Sequence, residues 1–84
     1  MKKGNGILRR EVWVDEQDKV VRYHLAYINR GVFQGDKGRV VGYDNAHGFH
    51  HRHLMGVVEP IDFTNFEDIE DRFQVDWAVF RSEQ

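Results

Sequence analysis

The chain has 84 residues, of which 40% are hydrophobic and 31% are charged, and its formal net charge at pH 7 is −2. This length supports one small core, so we expect a single domain over residues 1–84. Because there is no cysteine, disulfides, thiolate metal sites and a cysteine nucleophile are excluded. The apolar runs are far shorter than the roughly 20 residues of a membrane span, and none follows the basic start of the chain. We therefore expect a cytoplasmic protein without a membrane partner.

The charge is unevenly distributed along the chain. Residues 1–58 carry 10 Lys and Arg against 6 Asp and Glu, whereas residues 59–84 carry 2 against 8. A basic body with an acidic C-terminal segment could present one phosphate-facing surface, although acidic surface helices are common and produce the same pattern. The net charge is too small for a protein that coats nucleic acid indiscriminately.

The first part of the chain predicts β-strands. Residues 10–16 (REVWVDE) alternate and predict a short strand, and the polar turn DEQDK leads into a longer one, VVRYHLAYINR. One face of this second strand carries Val21, Tyr23, Leu25 and Tyr27, and the other carries Arg22, His24 and Ala26. After the glycine-punctuated connection RGVFQGDKG, the segments RVVGYDN and HHRHLMGVV predict a third and a fourth strand. Strands therefore cover roughly residues 9–58.

The segment after Pro60 changes period. An apolar stripe recurs at spacings of three and four and predicts a helix over roughly residues 65–81; it consists of Phe66, Ile69, Phe73, Trp77 and Phe80. Thr64 and Glu67 match a capping box at the helix start. The stripe most simply packs on the sheet, and docking of a partner is the alternative. We predict an α+β fold, in which a small antiparallel sheet of about four strands is covered by one C-terminal amphipathic helix.

Four of the five histidines lie in the segment DNAHGFHHRH, residues 44–53. If AHGF forms a four-residue turn with Gly48 at positive φ, then Asp44 faces His51 and Gly42 faces His53 across a hairpin. The side chains of Asp44, His51 and His53 then converge on one face, and Gly42 leaves room beside His53.

The other face of the same hairpin carries a second set of polar residues. Asn45 faces His50, and Arg52, which faces Tyr43, lies on the same face. His47 in the turn is expected to be a bystander.

Three interpretations of Asp44, His51 and His53 remain open. As ligands they would hold a divalent metal such as zinc or nickel. Without a cofactor, the histidines would act as general base and acid, with Arg52 stabilising phosphoryl charge, which is the equipment of RNA cleavage. In the third interpretation they only bond to strand neighbours. Arg22 and His24 join the site if their strand is adjacent.

A Tyr-Asp-Asn strand end, a turn, a His-His-x-His run, the step VVEP and an acidic amphipathic helix resemble the TumE-like family of small prokaryotic toxins from toxin–antitoxin operons. The resemblance runs from about Arg9 to Phe80. Its specific part is Asp44-Asn45, His50-His51-x-His53 and Glu59-Pro60. Many relatives carry a longer spacer than AHGF before the histidines, a departure that bears on activity.

The resemblance implies a growth-inhibiting toxin paired with a helix-turn-helix antitoxin, and it is compatible with an RNA target and a ribonuclease-like activity. Carried over position by position, it implies that Asp44, His51 and His53 form the chemical group. The residues that would bind or position substrate are Asn45, His50, Arg52, Arg22 and His24.

The alternative to a ribonuclease-like toxin is a non-enzymatic binding or regulatory module, with or without a metal on the same hairpin. An open sheet face also predicts self-association as a homodimer. Its apolar residues are Trp13, Val20, Ala26 and Ile28.

Overall fold

The computed structural model describes residues 6–82, except for the side chains of residues 47, 81 and 82, and contains five strands and one long helix. The elements are β1 (Ile7–Val14), β2 (Val20–Ile28), β3 (Arg39–Asp44), β4 (His51–Leu54), β5 (Val57–Pro60) and α1 (Phe66–Ser82). The strands form one antiparallel sheet in the order β1-β2-β3-β4-β5, so each strand pairs with its neighbour along the chain. The predicted α+β fold is confirmed.

The number of strands differs from the prediction of about four. The segment HHRHLMGVV forms two strands, β4 and β5, because Met55 and Gly56 make a tight turn with φ values of 45° and 86°. Two consecutive positive φ values are typical of a two-residue hairpin turn, which usually contains Asn or Asp before Gly. Pro60 is the last residue of β5, an edge strand, as its missing N–H requires.

The start of α1 lies one residue beyond the predicted position. The Asn65 side chain accepts a hydrogen bond from the backbone N–H of Asp68 at 2.8 Å, and so Asn65 caps the helix. The capping box predicted for Thr64 and Glu67 is therefore one residue out of register. Glu67 and Asp68 still lie in the first turn, where the helix dipole favours acidic side chains.

The core lies between the sheet and α1. It consists of buried residues from the central strands and the helix, namely Tyr23, Leu25, Tyr27, Val40, Val41, Tyr43, Ile69 and Phe73. Phe66, Trp77 and Phe80 pack against this cluster, so the apolar stripe of the helix packs on the sheet, as the simpler prediction stated. No helix within residues 6–82 is long and apolar enough to cross a membrane.

A β-bulge in β3 decides which face each of its residues occupies. Tyr27 pairs with Val41 and Ile28 pairs with Arg39, which leaves Val40 as the extra residue. Val40 and Val41 are both fully buried in the core, so the alternation of faces is interrupted between them. As a result, Arg39 lies on the face of the sheet away from α1.

The face away from α1 differs in part from the predicted self-association surface. Ala26 is buried, and Val20 packs against the core cluster. Trp13 is exposed and Ile28 is partly exposed. Ala26 therefore does not belong to an exposed surface, and the homodimer stays a prediction.

Candidate functional site

The β3–β4 hairpin has the register predicted from the sequence. Asp44 pairs with His51, and Gly42 pairs with His53. Gly48 has a φ of 86° in the turn, a conformation that glycine adopts without strain. Asp44, His51 and His53, hereafter the Asp44 group, therefore share the face of the sheet away from α1.

The Asp44 carboxylate lies at the centre of this group. Its Oδ1 is 2.9 Å from His51 Nε2, and its Oδ2 is 3.2 Å from His53 Nε2. The backbone N–H of Ala46 donates to Oδ1 at 3.1 Å, and His24 Nδ1 from β2 is 3.8 Å from Oδ2. Asp44, His51 and His53 are 6%, 3% and 8% exposed, so these buried polar atoms depend on one another for partners.

His51 has an oxygen atom opposite each of its ring nitrogens. Nδ1 is 3.1 Å from the backbone carbonyl oxygen of Phe49, which can only accept a hydrogen bond, so Nδ1 carries a proton. Nε2 then points at the Asp44 carboxylate. This contact needs a shared proton or a cation between the two atoms. An imidazole whose N–H is held by a backbone carbonyl, which leaves the other nitrogen for a ligand bond, is typical of metal-ligating histidines.

The Asp44 group could hold a metal ion. Asp44, His51 and His53 each offer one ligand atom, and these atoms all lie within 4.8 Å of one another. Two imidazoles and one carboxylate form a donor set that zinc accepts, and they leave a coordination position open. His24 lies close enough to Asp44 to approach the same ion.

Arg39 is a member of this face that strand alternation in the sequence does not reveal. A Cβ atom on Gly42 would lie 2.9 Å from Arg39 Cδ, so the arginine stem fills the space that we expected to be open beside His53. Its guanidinium is paired with Asp36, at 2.8 Å between Nε and Oδ2. Simple alternation places Arg39 on the α1 face with Val41, and only the bulge brings it here.

The electrostatic environment of His53 follows from this packing. Burial lowers the pKa of His53, the positive charge of Arg39 lowers it further, and the Asp44 carboxylate partly offsets both. His53 is consequently neutral near pH 7 and has a lone pair for a proton or a metal ion.

Asn45 and His50 lie away from the Asp44 group and have partners within the fold. The Asn45 side chain accepts a hydrogen bond from the backbone N–H of Tyr23 at 3.0 Å and donates to the carbonyl of Val21 at 3.1 Å. His50 Nδ1 is 2.9 Å from the Tyr23 hydroxyl, and its ring stacks on Phe63 with 3.9 Å between centroids. These contacts join β2 to the hairpin, and the substrate-binding role of both residues stays a prediction.

Arg52 also lies on the α1 side of the sheet. Its guanidinium donates to Glu59 at 2.6 Å and to Asp76 of α1 at 3.3 Å, and the hydrogen bond to Glu59 raises the pKa of Arg52. Asp76 also accepts a hydrogen bond from the Tyr43 hydroxyl. The structure thus separates Arg52 from the Asp44 group, and its role towards a substrate stays untested.

Arg22 is on the same face as the Asp44 group. Its guanidinium lies over the ring of Trp13 on β1, 4.9 Å from the centroid. Arg22 pairs with Trp13 and is two residues from His24 on β2. The structure places Arg22 and His24 on this face and brings His24 close to Asp44, the substrate-binding role of both residues stays a prediction, and the side chain of His47 is outside the described residues.

A five-stranded antiparallel sheet, covered on one face by a helix and carrying a histidine–carboxylate group on the other, defines a small α+β protein with one candidate site. The model of the toxin TumE family matches residues 5–84. The chain therefore belongs to the TumE family and is a toxin component, and such a toxin has an antitoxin as its partner. No curated protein and no solved structure matches the chain.

Proposed function

We propose that this toxin acts on RNA through the Asp44 group, by histidine acid–base chemistry. The observation that carries the proposal is the buried carboxylate of Asp44 between the Nε2 atoms of His51 and His53. The three residues lie outside the core cluster, and burying ionisable groups costs free energy. A site with a chemical task accounts for this cost better than a purely structural one.

The proposed reaction is an intramolecular transesterification of the RNA backbone. Neutral His53 takes the proton of a 2′-hydroxyl, the 2′-oxygen attacks the adjacent phosphorus, and the bond from phosphorus to the 5′-oxygen breaks. His51, whose Nε2 shares a proton with Asp44, protonates the leaving 5′-oxygen. The products are a 2′,3′-cyclic phosphate and a 5′-hydroxyl, and no co-reactant is needed. Arg22 on the same face supplies positive charge for the phosphoryl oxygens, while the Arg39 guanidinium is held by Asp36.

The test is induced expression of the toxin in a host that lacks the antitoxin. We expect growth arrest from the wild type and from Asp71→Asn, an exposed charge on α1, and none from His51→Ala or His53→Ala. Each variant must be shown to fold by circular dichroism and by its unfolding transition. Full growth arrest from folded His51→Ala and His53→Ala would overturn the proposal.

A second candidate is that the Asp44 group holds a divalent ion such as zinc or nickel, so that the protein acts as a binding or regulatory module. The favouring observation is the hydrogen bond that fixes His51 Nδ1 on the Phe49 carbonyl and leaves Nε2 for a ligand bond. Metal analysis should use protein purified without a histidine tag and then dialysed. Stoichiometric metal in the wild type and its loss in a His51→Ala/His53→Ala double variant would support this candidate, and metal-free wild type would contradict it.

We further propose that the antitoxin is a helix-turn-helix protein from the neighbouring gene and that the pair acts in the cytoplasm, where RNA is available. The family resemblance supports this proposal. Co-expression with the neighbouring gene should restore growth, and the two proteins should co-purify. A neighbouring gene that neither restores growth nor co-purifies would contradict it.

A further inference from the structure

Two exposed aromatic side chains flank the Asp44 group. Trp13 on β1 is 43% exposed, and Phe49 in the β3–β4 turn is 45% exposed. The ring of Phe49 packs 4.7 Å from the ring of His51. Trp13 lies two strands and two residues away from Asp44, roughly 12 Å at the usual strand spacing and rise. A substrate held at the Asp44 group can therefore reach both rings.

Arg22 stands between Trp13 and the rest of the site. Its guanidinium covers one side of the indole ring, and Trp13 is still 43% exposed beside it. Because Arg22 and His24 lie two residues apart on β2, they project from the same face, and His24 approaches Asp44. A phosphate that links a group stacked on Trp13 to the Asp44 group would pass this guanidinium, whose geometry suits phosphate oxygens.

The charge distribution favours this face for an anionic ligand. The helix on the opposite side carries five acidic residues and two arginines; the acidic residues are Glu67, Asp68, Glu70, Asp71 and Asp76. The face away from α1 carries Arg9, Arg22 and Arg39 against Glu11 and Asp44, and the Arg39 guanidinium is paired with Asp36. A polyanion is thus repelled by the helix side more than by the side with Trp13, where Arg22 is the cation next to the indole ring.

A single strand fits this surface better than a duplex. The bases of a duplex are stacked on one another, whereas unpaired bases can be splayed out and stacked on aromatic side chains. Proteins that bind single strands stack successive bases on aromatic side chains, and the exposed rings of Trp13 and Phe49 flank the Asp44 group. We infer that the toxin binds single-stranded RNA by stacking a base on Trp13, with the following phosphate at Arg22. This inference rests on the proposed function in taking RNA as the target.

The binding test uses the purified full chain and a fluorescein-labelled single-stranded 2′-O-methyl RNA of mixed sequence. This probe has no 2′-hydroxyl, so it cannot be cleaved by the proposed reaction. Trp13→Leu should weaken binding roughly ten-fold in fluorescence anisotropy at fixed salt, the loss expected for one base–aromatic stack. The matched control is Phe63→Leu, which removes an equally exposed ring (43%) packed on His50 and should leave the affinity unchanged.

A second readout separates stacking from a structural role of Trp13. RNA should quench the tryptophan fluorescence of the wild type but not that of Trp13→Leu, because the remaining Trp77 packs against Tyr27 beside the core. The urea midpoints of the two leucine variants should match that of the wild type. Equal affinity of wild type and Trp13→Leu, tighter binding of duplex RNA, or no binding of the probe by the wild type would each overturn the inference.

The outcomes also distinguish this inference from the proposed function. Trp13-dependent binding without growth arrest or cleavage would leave the inference standing and remove the catalytic proposal. Growth arrest that requires His51 and His53, together with binding that does not depend on Trp13, would support the catalytic proposal and overturn the inference.

Discussion

Replacing Asp44 with asparagine isolates one hydrogen bond at the centre of the site. The asparagine Oδ1 can still accept a hydrogen bond from the backbone N–H of Ala46, as Asp44 Oδ1 does at 3.1 Å. Its Nδ2, in the place of Oδ2, can donate to His53 Nε2 once the neutral ring moves its proton from Nε2 to Nδ1. The contact with His51 is lost, because Nδ1 of that ring keeps its proton for the Phe49 carbonyl and Nε2 then faces a second acceptor.

The expected loss is that of a single hydrogen bond to a charged group, about 1.5–3 kcal/mol. A chain of 84 residues has a total stability of about 4–13 kcal/mol at roughly 0.05–0.15 kcal/mol per residue. The variant should therefore lose a substantial part of its stability. In thermal unfolding the loss corresponds to a decrease in Tm of about 6–24 °C, at roughly 4–8 °C for each kcal/mol.

The measurement is urea unfolding of wild type, Asp44→Asn and Asp71→Asn in a buffer with a metal chelator. Asp71 is an exposed helix residue, and its change should stay within about 0.5 kcal/mol. In a His51→Ala background the contact no longer exists, so Asp44→Asn should then cost little. Equal stability of Asp44→Asn and Asp71→Asn, or an unchanged cost in the His51→Ala background, would refute the hydrogen-bond assignment.

Three further predictions follow from the core and the site. Burial lowers the pKa of His50 and of His53 in the folded state, so on acidification the unfolded chain binds protons before the folded chain does. The free energy of unfolding should therefore fall as the pH drops below about 6.5. Urea midpoints that do not change with acidification would contradict this prediction. Arg39→Gln should raise the pKa of His53 in an NMR titration of its ring, since Arg39 lowers it, and an unchanged pKa would remove Arg39 from the site. Ile69→Ala, at a fully buried position, should cost about 2–5 kcal/mol of stability, whereas an equal cost for exposed Val75→Ala would argue against helix docking.

The register of the histidine hairpin could be read from the sequence because two signals agree. Four residues separate Asn45 from His50, and Gly48 supplies a positive φ within that turn. Once the pairs are fixed, strand alternation places the Asp44 group on one face and Arg52 on the other. By the same kind of argument, the spacing of the apolar stripe predicts which helix residues pack on the sheet.

Other features of the site depend on contacts that leave no local signal. The valine pair Val40 and Val41 does not alternate in polarity, so the bulge that turns Arg39 towards His53 cannot be located from the sequence. Met55 has a positive φ, which methionine has no intrinsic preference to adopt. Tertiary packing sets both conformations, and the number of strands and the position of Arg39 follow from them.

The most direct test of the account is cleavage of RNA by the purified toxin. Wild type and the His51→Ala/His53→Ala double variant should be incubated with total cellular RNA, and the new ends should be mapped and chemically identified. The account predicts fragments with 2′,3′-cyclic phosphate and 5′-hydroxyl ends from the wild type and none from the double variant. Intact RNA with the wild type, or the same cleavage by both proteins, would contradict the claim that the Asp44 group makes this toxin act on RNA.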